Sequence, residues 1–322
     1  MNLDRTDREL LERLRACFLS GHAGETPYWE SERMLMLYHE TFAQRIAWKW
    51  HAVLDELDQR GWHPAPGVTL VDVGCGTGIA TEIMLERYGT DHLSTVIVND
   101  RSQCAAAFTA RRLGELFPSL LVKPTTDLTV PPGSIVVISH VLTEMTTDDI
   151  KHLCQHLVAA RAVLVVEPGT RHASTRVVML HEQLRQHMTV VAPCPHQQQC
   201  GMTQPTNHLH WCHFHVRPPT AAFTSRQWAR FADTFGIDIG DLAVSFMVLD
   251  TMWNQPSPAP GRLIGAPDIS AHDAVVIVCS SEGIQRRIVN KRHDAELYRR
   301  LRKRPPQWIE PDPSQQHTHR SS

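Results

Sequence analysis

Long apolar runs are missing from this sequence of 322 residues, although 42% of the residues are hydrophobic. None approaches the length of a membrane-spanning helix, so no membrane partner is expected. The opening residues MNLDRTDREL are charged and precede no apolar segment, which argues against a secretory signal, and their acidic residues argue against a mitochondrial transit peptide. We therefore expect a cytoplasmic protein, in which clustered cysteines stay reduced and indicate metal rather than disulfides.

An excess of charge of one sign is also missing, because 32 Lys and Arg residues face 34 Asp and Glu residues and leave a net charge of −2. This balance excludes attraction of the whole molecule to nucleic acid, and no DNA partner is expected. Basic residues nevertheless crowd one segment, from Arg286 to Arg304. That segment predicts either a solvated helix face or a patch that contacts phosphates.

Strands and helices alternate through the middle of the chain. Segments such as VTLVDV, STVIVND, SIVVISH and RAVLVVEPG are typical of buried parallel strands, and helical patterns separate them. The alternation predicts an α/β fold with a mainly parallel sheet covered on both faces. We expect a helical N-terminal region at residues 1–62, with one long helical run from about Trp29 to Arg60, then the α/β domain at residues 63–305 and a disordered tail at residues 306–322.

A glycine-rich loop follows the first of these strands. In VDVGCGTG, Gly74, Gly76 and Gly78 stand between a strand and a helix, where glycine lets the backbone turn sharply and approach a ligand. The spacing is G-x-G-x-G, whereas dinucleotide-binding loops have G-x-G-x-x-G. The next strand ends at Asp100, whose carboxylate can accept both hydrogen bonds of a ribose diol.

This order of strand, loop, helix, strand and acid resembles motif I of the class I S-adenosylmethionine-dependent methyltransferases. The resemblance implies a Rossmann-like class I methyltransferase fold with S-adenosylmethionine as cofactor. The cofactor would be held by residues from four segments, namely Asp72, Gly74, Gly76, Gly78, Asp100, Asp127 and Ser139. Asp72 would face the methionine portion, and Asp127 would lie near the adenine.

The segment ISHVLTEM occupies the place of motif IV. It lacks the Asn/Asp-Pro-Pro-aromatic pattern that amino-group methyltransferases acting on bases often show. His140 and Glu144 are candidate general bases in this segment, and an alternative role for Glu144 is to orient the following helix. Because methyl transfer from a sulfonium can proceed by positioning alone, a missing base would exclude nothing.

No C-x-x-C pair occurs among the eight cysteines. Four are interpreted as small buried hydrophobic residues, namely Cys17, Cys75, Cys104 and Cys154. The other four stand in a loop rich in Pro, Gln and His or at a strand end, where packing gains little from cysteine, and these are Cys194, Cys200, Cys212 and Cys279. If the strand of Cys279 lay beside the strand ending at Ala192, the four thiols would meet at one edge of the sheet. Four thiolates suit zinc or an iron–sulfur cluster, and His196 and His213 offer zinc alternatives, so spacing leaves the metal open.

Longer motifs around these cysteines are distinctive. They are VVEPGT followed by a helix, VVAPCPH, a further cysteine and WCHF, with SHVLTEM upstream and VIVCSSEGIQRRIVNKRHDAELYRRLRK downstream. Together they resemble the methyltransferase-like protein 17 family of mitochondrial small-ribosomal-subunit proteins and its bacterial relatives, over roughly residues 65–305. The resemblance implies a cysteine-rich metal-binding insert at residues 190–220 and a 4Fe–4S cluster on Cys194, Cys200, Cys212 and Cys279, with zinc as the alternative.

The same resemblance implies a partner, the small ribosomal subunit and its rRNA, during assembly or translation. One hypothesis is a methyltransferase that modifies ribosomal RNA or a ribosomal protein, with zinc in place of the cluster as a variant. A second hypothesis is a non-catalytic assembly factor that clamps small-subunit RNA, with the basic C-terminal segment on phosphates. A third is an iron–sulfur redox sensor. The C-x-x-x-C-x-x-C pattern of radical S-adenosylmethionine enzymes is absent.

Overall fold

The computed structural model describes residues 3–20, 28–240, 242–254, 260–303 and 305–309. Its helices are α1 (Arg5–Ser20), α2 (Glu32–Glu40), α3 (Phe42–Arg60), α4 (Ile79–Tyr88), α5 (Gln103–Leu116), α6 (Thr147–Leu157), α7 (Arg171–Leu184), α8 (Thr220–Thr224), α9 (Arg226–Phe235) and α10 (Ala295–Lys303). Its strands are β1 (Val68–Val73), β2 (Leu93–Asn99), β3 (Val122–Thr125), β4 (Ile135–Ser139), β5 (Ala162–Pro168), β6 (Thr189–Ala192), β7 (Phe214–His215), β8 (Ala243–Asp250), β9 (Gly261–Ile269), β10 (Asp273–Ser280), β11 (Gly283–Asn290) and β12 (Trp308–Ile309).

The larger sheet contains eight strands of the described chain, in the order β3-β2-β1-β4-β5-β8-β6, and the short β7 pairs with β8. The pairs among β1 to β5 are parallel, whereas β8 runs antiparallel between β5 and β6. The predicted Rossmann-like α/β fold with a mainly parallel sheet is therefore confirmed. Because parallel strands end at the same edge, the loops after β1, β2, β4 and β5 lie at one edge of the sheet.

Apolar side chains on both faces of the sheet explain the nearly continuous hydrophobic strands. In β5, Leu164 belongs to the core that includes α3 and α4, while Val163 and Val165 belong to the core that includes α6 and α7. Successive residues of a strand point to opposite faces, so a strand buried on both faces needs apolar residues throughout.

The N-terminal helices are divided where the sequence predicted one run. α2 ends at Glu40 and α3 begins at Phe42, and the intervening Thr41 has φ −122° and ψ −95°. The buried Thr41 hydroxyl donates to the Leu37 carbonyl at 2.6 Å, and this kind of bond competes with helical hydrogen bonding. Within the described ranges, no helix combines the length and apolar character needed to cross a membrane.

A second, antiparallel sheet has the order β11-β10-β9-β12. One face packs against α10, through residues that include Val278, Tyr298 and Leu301, while Cys279 joins the core of the larger sheet. The strand of Cys279 does not lie beside the strand ending at Ala192, the arrangement that the sequence left as a condition. Its place is taken by β8, which returns antiparallel next to β6.

The C-terminal tail begins with ordered structure. β12 pairs antiparallel with β9, so residues 308–309 form a strand where the sequence predicted disorder from residue 306. The buried Ile309 adds to the core between α10 and this sheet, which accounts for the order. The rest of the predicted tail, residues 310–322, lies outside the described residues.

A buried ion pair ties the two sheets together. The Arg262 guanidinium on β9 donates to both carboxylate oxygens of Glu56 on α3, at 2.9 and 2.8 Å. Arg60 donates to the same carboxylate at 2.7 Å. Arg262 and Glu56 are 3% and 4% exposed, so the loss of Arg262 would leave the buried Glu56 carboxylate with Arg60 alone, which bonds only one of its oxygens.

Replacing Arg262→Gln should therefore lower the free energy of unfolding by about 3–5 kcal/mol, because Glu56 loses its bidentate partner inside the protein. The measurement is urea unfolding at constant pH. The control is Arg111→Gln, which breaks an exposed bidentate pair with Glu32 and should cost far less. Equal losses in the two variants would mean that the buried pair does not join the sheets.

Candidate functional site

The glycine loop borders a cavity of about 350 Å³ at the carboxyl edge of the sheet. Gly74, Gly76 and Gly78 all have positive φ, at 66°, 51° and 74°. A Cβ on Gly74 would collide with the Val141 side chain, and one on Gly78 would lie 2.5 Å from Cγ2 of Thr109. We call this space the loop cavity, and its walls include Phe18, Tyr28, Trp29, Tyr38, Gly74, Gly76, Asn99, Asp100, Thr126, Leu128, Ser139, His140, Val141, Glu144 and Met145.

Asp100 lies in the wall of the loop cavity directly after β2. Its carboxylate accepts hydrogen bonds from the backbone N–H groups of Gly76 at 2.9 Å and Ser102 at 2.8 Å. Burial raises the pKa of Asp100, and these two hydrogen bonds act in the opposite direction. The side chain is thus fixed beside the glycine loop, where its oxygens can accept hydrogen bonds from a ligand hydroxyl.

Three other predicted cofactor residues have different positions. Ser139 lines the loop cavity, and its hydroxyl accepts a hydrogen bond from the Trp50 indole at 2.9 Å. Asp72 lies off the cavity wall, where its carboxylate accepts from the Thr81 hydroxyl at 2.7 Å and burial raises its pKa to about 7. Asp127 is exposed, and its neighbours Thr126 and Leu128 form the wall instead. Asp72 and Asp127 therefore do not line the loop cavity, and their contacts with a cofactor stay predictions.

Aromatic residues before α2 supply a wall that sequence reasoning missed. Tyr28 and Trp29 line the loop cavity, and the Tyr28 hydroxyl donates to Glu144 at 2.9 Å. The Trp29 indole N–H is buried and has no hydrogen-bond partner among the described residues. An unpaired buried donor in a cavity wall is a position for a ligand acceptor. Nothing local distinguishes these aromatics from ones that only pack against a neighbour.

The two candidate bases differ in environment. Glu144 accepts from Tyr28, its pKa is raised by burial, and Arg101 lies 3.5 Å away. His140 has φ 58°, and among the described residues it is the only one other than glycine with a positive φ. Burial and the nearby cations Lys49 and Arg45 lower the pKa of His140 well below its ordinary value. A neutral imidazole results near pH 7, and it can accept a proton.

His140 also lines a second cavity, of about 530 Å³, which we call the edge cavity. Tyr38, Ile46 and His140 belong to the walls of both cavities, so the two spaces are neighbours. The edge cavity is lined by Tyr38, Phe42, Arg45, Ile46, Lys49, His140, Pro168, Gly169, Thr170, Trp211, His213, His215, Leu242 and Ala243. Its position at the ends of β4 and β5 is where open α/β sheets place ligands.

Glu167 supports the turn that carries His140. The fully buried carboxylate accepts hydrogen bonds from the backbone N–H groups of Val141 at 2.8 Å and Leu142 at 2.9 Å. Its second oxygen has no hydrogen-bond partner among the described residues. Burial raises the pKa of Glu167 to about 7. Glu167 is thus a positioning residue that holds the motif IV segment against β5.

The four predicted metal ligands come together. Cys194, Cys200, Cys212 and Cys279 line one small space between the two sheets, which we call the thiol cavity. Burial and the neighbouring thiols raise the pKa of Cys194 and of Cys212 well above the usual value. All eight cysteines lie in the described ranges as free thiols. As placed, no group of three or more His, Cys, Asp and Glu side chains within those ranges could hold a metal ion.

Two histidines approach these thiols. His196 Nε2 lies 3.5 Å from the Cys279 sulfur, and His181 Nε2 lies 3.9 Å from the Cys194 sulfur. His213 instead stacks on Trp211, with ring centroids 4.5 Å apart. His196 therefore has a position from which it can donate to a thiolate, while His213 belongs to the edge cavity.

Comparisons with known proteins agree with this architecture. A family model described as "Mitochondrial small ribosomal subunit Rsm22" matches residues 38–309, and this match confirms the family resemblance predicted from the sequence. No curated protein matches the chain.

Two of the solved structures that the chain resembles are methyltransferases. A SAM-dependent methyltransferase from Aquifex aeolicus is 14% identical, with 46% of this chain and 84% of that chain covered and a TM-score of 0.35. Geranyl diphosphate C-methyltransferase from Streptomyces coelicolor A3(2) is 13% identical, with 71% and 87% covered and a TM-score of 0.39. At this level of likeness, neither structure identifies a substrate.

Replacing Glu167→Gln should flatten the decrease in stability between pH 5 and pH 8. The folded pKa of about 7 lies above the ordinary value of 4.5, so the folded state binds the proton more tightly and loses stability as pH rises through this window. Glutamine keeps an oxygen for Val141 and Leu142 but carries no charge. In urea unfolding, the free energy of unfolding of the variant minus that of the wild type should be about 1–3 kcal/mol larger at pH 8 than at pH 5.

The control is Glu86→Gln, at an exposed residue. Its free energy of unfolding should differ from that of the wild type by the same amount at pH 5 and pH 8. If the Glu167→Gln variant loses stability toward pH 8 as steeply as the wild type, Glu167 ionises without cost and does not constrain the turn.

Proposed function

The chain belongs to the Rsm22 family, and from this premise we propose that it is an S-adenosylmethionine-dependent methyltransferase acting on the small ribosomal subunit. One observation carries the proposal. The loop cavity and the edge cavity adjoin at His140, so a methyl donor in the first and an acceptor in the second would meet at the carboxyl edge of the sheet. The cytoplasmic location expected from the sequence remains part of this proposal.

The residues of the loop cavity fit S-adenosylmethionine. Asp100 suits the ribose hydroxyls, and the aromatic and apolar walls at Trp29 and Leu128 suit an adenine ring. The partnerless Trp29 indole N–H offers a further hydrogen bond. When bound, S-adenosylmethionine supplies a methyl group on a sulfonium, which a well-placed nucleophile can take by positioning alone.

His140 is the residue best placed to accept the proton that an acceptor releases. It faces both cavities, and its lowered pKa keeps the ring neutral near pH 7 while also making it a weaker base than an ordinary histidine. Lys49 helps to hold this state, with its ammonium 3.5 Å from Nε2. Glu144 lines the loop cavity but not the edge cavity, so its bonds to Tyr28 and Arg101 fit a role in ordering the donor side.

A second candidate function, a non-catalytic factor that binds small-subunit RNA, is favoured by the basic surface of the second sheet. Arg286 on β11 is exposed, as are Lys291 and Arg292 in the turn after it and several residues of α10, namely Arg299, Arg300, Arg302 and Lys303. The opposite side of α10 is held on the sheet by Tyr298 and Leu301. A rigid helix with one basic face can contact successive phosphates, and binding of this kind weakens steeply with salt.

We further propose that the thiol cavity holds a 4Fe–4S cluster. Four cysteines line it, and no Asp or Glu is present among the described residues of its walls. As placed, no group of three or more His, Cys, Asp and Glu side chains in the described ranges could hold a metal ion, so the proposal rests on the four thiols that share one cavity and on the family resemblance. Burial raises the pKa of Cys212 and Cys279, and the Arg262 guanidinium in the wall acts in the opposite direction.

In this proposal the ligands would be Cys194 and Cys200 from the insert, Cys212 before β7 and Cys279 of β10. The cluster would cross-link the insert to the second sheet and so act mainly in stability. Zinc on the same thiols is the alternative, and metal analysis of the purified protein separates the two.

Replacing Asp100→Asn should weaken S-adenosylmethionine binding at least about tenfold, because a carboxylate that accepts two ribose hydrogen bonds is lost. Calorimetric titration of the purified chain measures the effect. Asp127→Asn is the control, since Asp127 is exposed and off the cavity wall, and its affinity should equal that of the wild type. Unchanged binding by the Asp100 variant would contradict the assignment of the loop cavity.

The same two variants separate catalysis from binding. Methyl transfer to small subunits lacking this modification should fail with Asp100→Asn and persist with Asp127→Asn. If the Asp100 variant still associates with subunits and supports their assembly in full, the non-catalytic function accounts for the protein and the enzymatic proposal is wrong.

Anaerobically purified wild type should absorb broadly near about 400 nm, as expected for iron–sulfur clusters bound by thiolates. Cys279→Ser should remove this band and the bound iron, because one of four ligands is lost. Cys154→Ser is the control, since Cys154 is a buried cysteine in the core beside α6, away from the thiol cavity, and its spectrum should be unchanged. A colourless wild type that contains zinc would reject the cluster.

A further inference from the structure

The edge cavity has a charge pattern that identifies its ligand more closely than the fold does. Arg45 and Lys49 bring two permanent cations to its wall, and His140, His213 and His215 add three imidazoles. Among the described residues that line the cavity, none is Asp or Glu. Glu167 attracts Lys49 from behind the wall, but it accepts hydrogen bonds from Val141 and Leu142 and does not line the cavity. Glu144 lines the loop cavity instead.

The positive charge of this wall distinguishes between the two kinds of methyl acceptor in a small ribosomal subunit, protein side chains and RNA. The basic side chains of ribosomal proteins, lysine and arginine, would enter the cavity as cations and be repelled by Arg45 and Lys49. RNA carries a phosphate at every nucleotide, and a phosphate is attracted to the same two groups. The volume of about 530 Å³ lies within the range of cavities that hold small ligands, so one nucleotide has room.

The remaining walls suit a sugar and a base. Tyr38, Phe42, Trp211 and His213 surround the space with aromatic surface, and Thr170 adds a hydroxyl at the start of α7. The macrodipole of α7 adds positive potential at this end. The cavity is a recess, so a base has to leave its stack to enter, which favours unpaired RNA.

We infer that the edge cavity receives one phosphate-bearing nucleotide of single-stranded RNA, with the phosphate at Arg45 and Lys49 and the nucleoside directed toward His140. This inference rests on the proposed function for the adjacent donor cavity. It deepens that function by naming the acceptor as RNA and the position of its backbone.

The wall of this site is built by the segment that also carries a thiol. Trp211 and His213 face the edge cavity, whereas Cys212 between them faces the thiol cavity. The Trp211 indole donates to the Gly169 carbonyl at 2.9 Å, and the Arg171 guanidinium lies 4.9 Å from the ring centre on Trp211. The His213 carbonyl accepts from Gly265 on β9 at 2.8 Å. One wall of the nucleotide site is therefore supported by the second sheet.

The experiment titrates the full chain with a five-residue single-stranded oligoribonucleotide, in the presence and absence of S-adenosylhomocysteine. Lys49→Gln and Arg45→Gln should each weaken oligonucleotide binding about tenfold or more, because each removes a charged phosphate contact. Each should also reduce the slope of log affinity against log salt by about 0.7, the loss expected for one phosphate of a single strand. The control is Lys123→Gln, an exposed lysine on the edge strand β3, which should change affinity less than about twofold.

Further titrations distinguish RNA from a free phosphate compound as the ligand, and test the RNA site separately from the proposed function. Unphosphorylated nucleosides should bind at least about tenfold more weakly than nucleoside 5′-monophosphates, since the cation contacts are lost. Equal effects of Lys49→Gln, Arg45→Gln and Lys123→Gln on the oligonucleotide overturn the inference, and so does a free monophosphate that binds more tightly than the oligonucleotide. S-adenosylhomocysteine affinity, measured in the same preparations, tests the loop cavity by itself. If the wild type does not bind S-adenosylhomocysteine, the proposed function is wrong. The oligonucleotide titration without S-adenosylhomocysteine still tests the RNA site.

Discussion

The parallel alignment of β1, β2, β4 and β5 is the constraint on which the candidate site depends. Because these strands point the same way, the glycine loop, Asp100, His140 and the turn at Gly169 come to one edge of the sheet. Each group is placed by the strand before it and needs no contact with the others to be there. The next strand, β8, runs antiparallel to β5. It pairs with the short β7, which follows Trp211 in the chain.

Buried charge has two different roles in this molecule. Glu56 and Arg262 pair through both carboxylate oxygens and connect α3 to the second sheet, so the two charges compensate each other within the structure. Glu167 uses one oxygen for two backbone N–H groups and leaves the other without a partner in the described chain. Burial raises its pKa to about 7. The strained backbone of His140 lies next to this carboxylate, and residues held in rare conformations are commonly part of functional sites.

Prediction from the sequence succeeded where a signal is local. Gly74, Gly76 and Gly78 need positive φ, and a short strand followed by this loop and a helix reveals the need within a dozen residues. Position relative to a cavity depends on how segments far apart in the chain are placed in space. Asp72 contacts Thr81 and Asp127 is exposed, so neither lines the loop cavity, and their predicted contacts with a cofactor stay predictions. Tyr28 and Trp29 enter the cavity wall only because the N-terminal helices pack over the sheet edge.

The sequence by itself determined the alternation of strands and helices, the glycine loop with Asp100 after the next strand, and the set of four cysteines outside the helices. These follow from side-chain periodicity and backbone conformational preference, which act over a few residues. Only the tertiary structure decided that β9 to β12 form a separate sheet, that the thiols meet between the two sheets, and that Arg45 and Lys49 lie beside His140. Those outcomes depend on which apolar faces pack against each other. Packing between segments far apart in the chain produces no periodic pattern in the sequence of either segment.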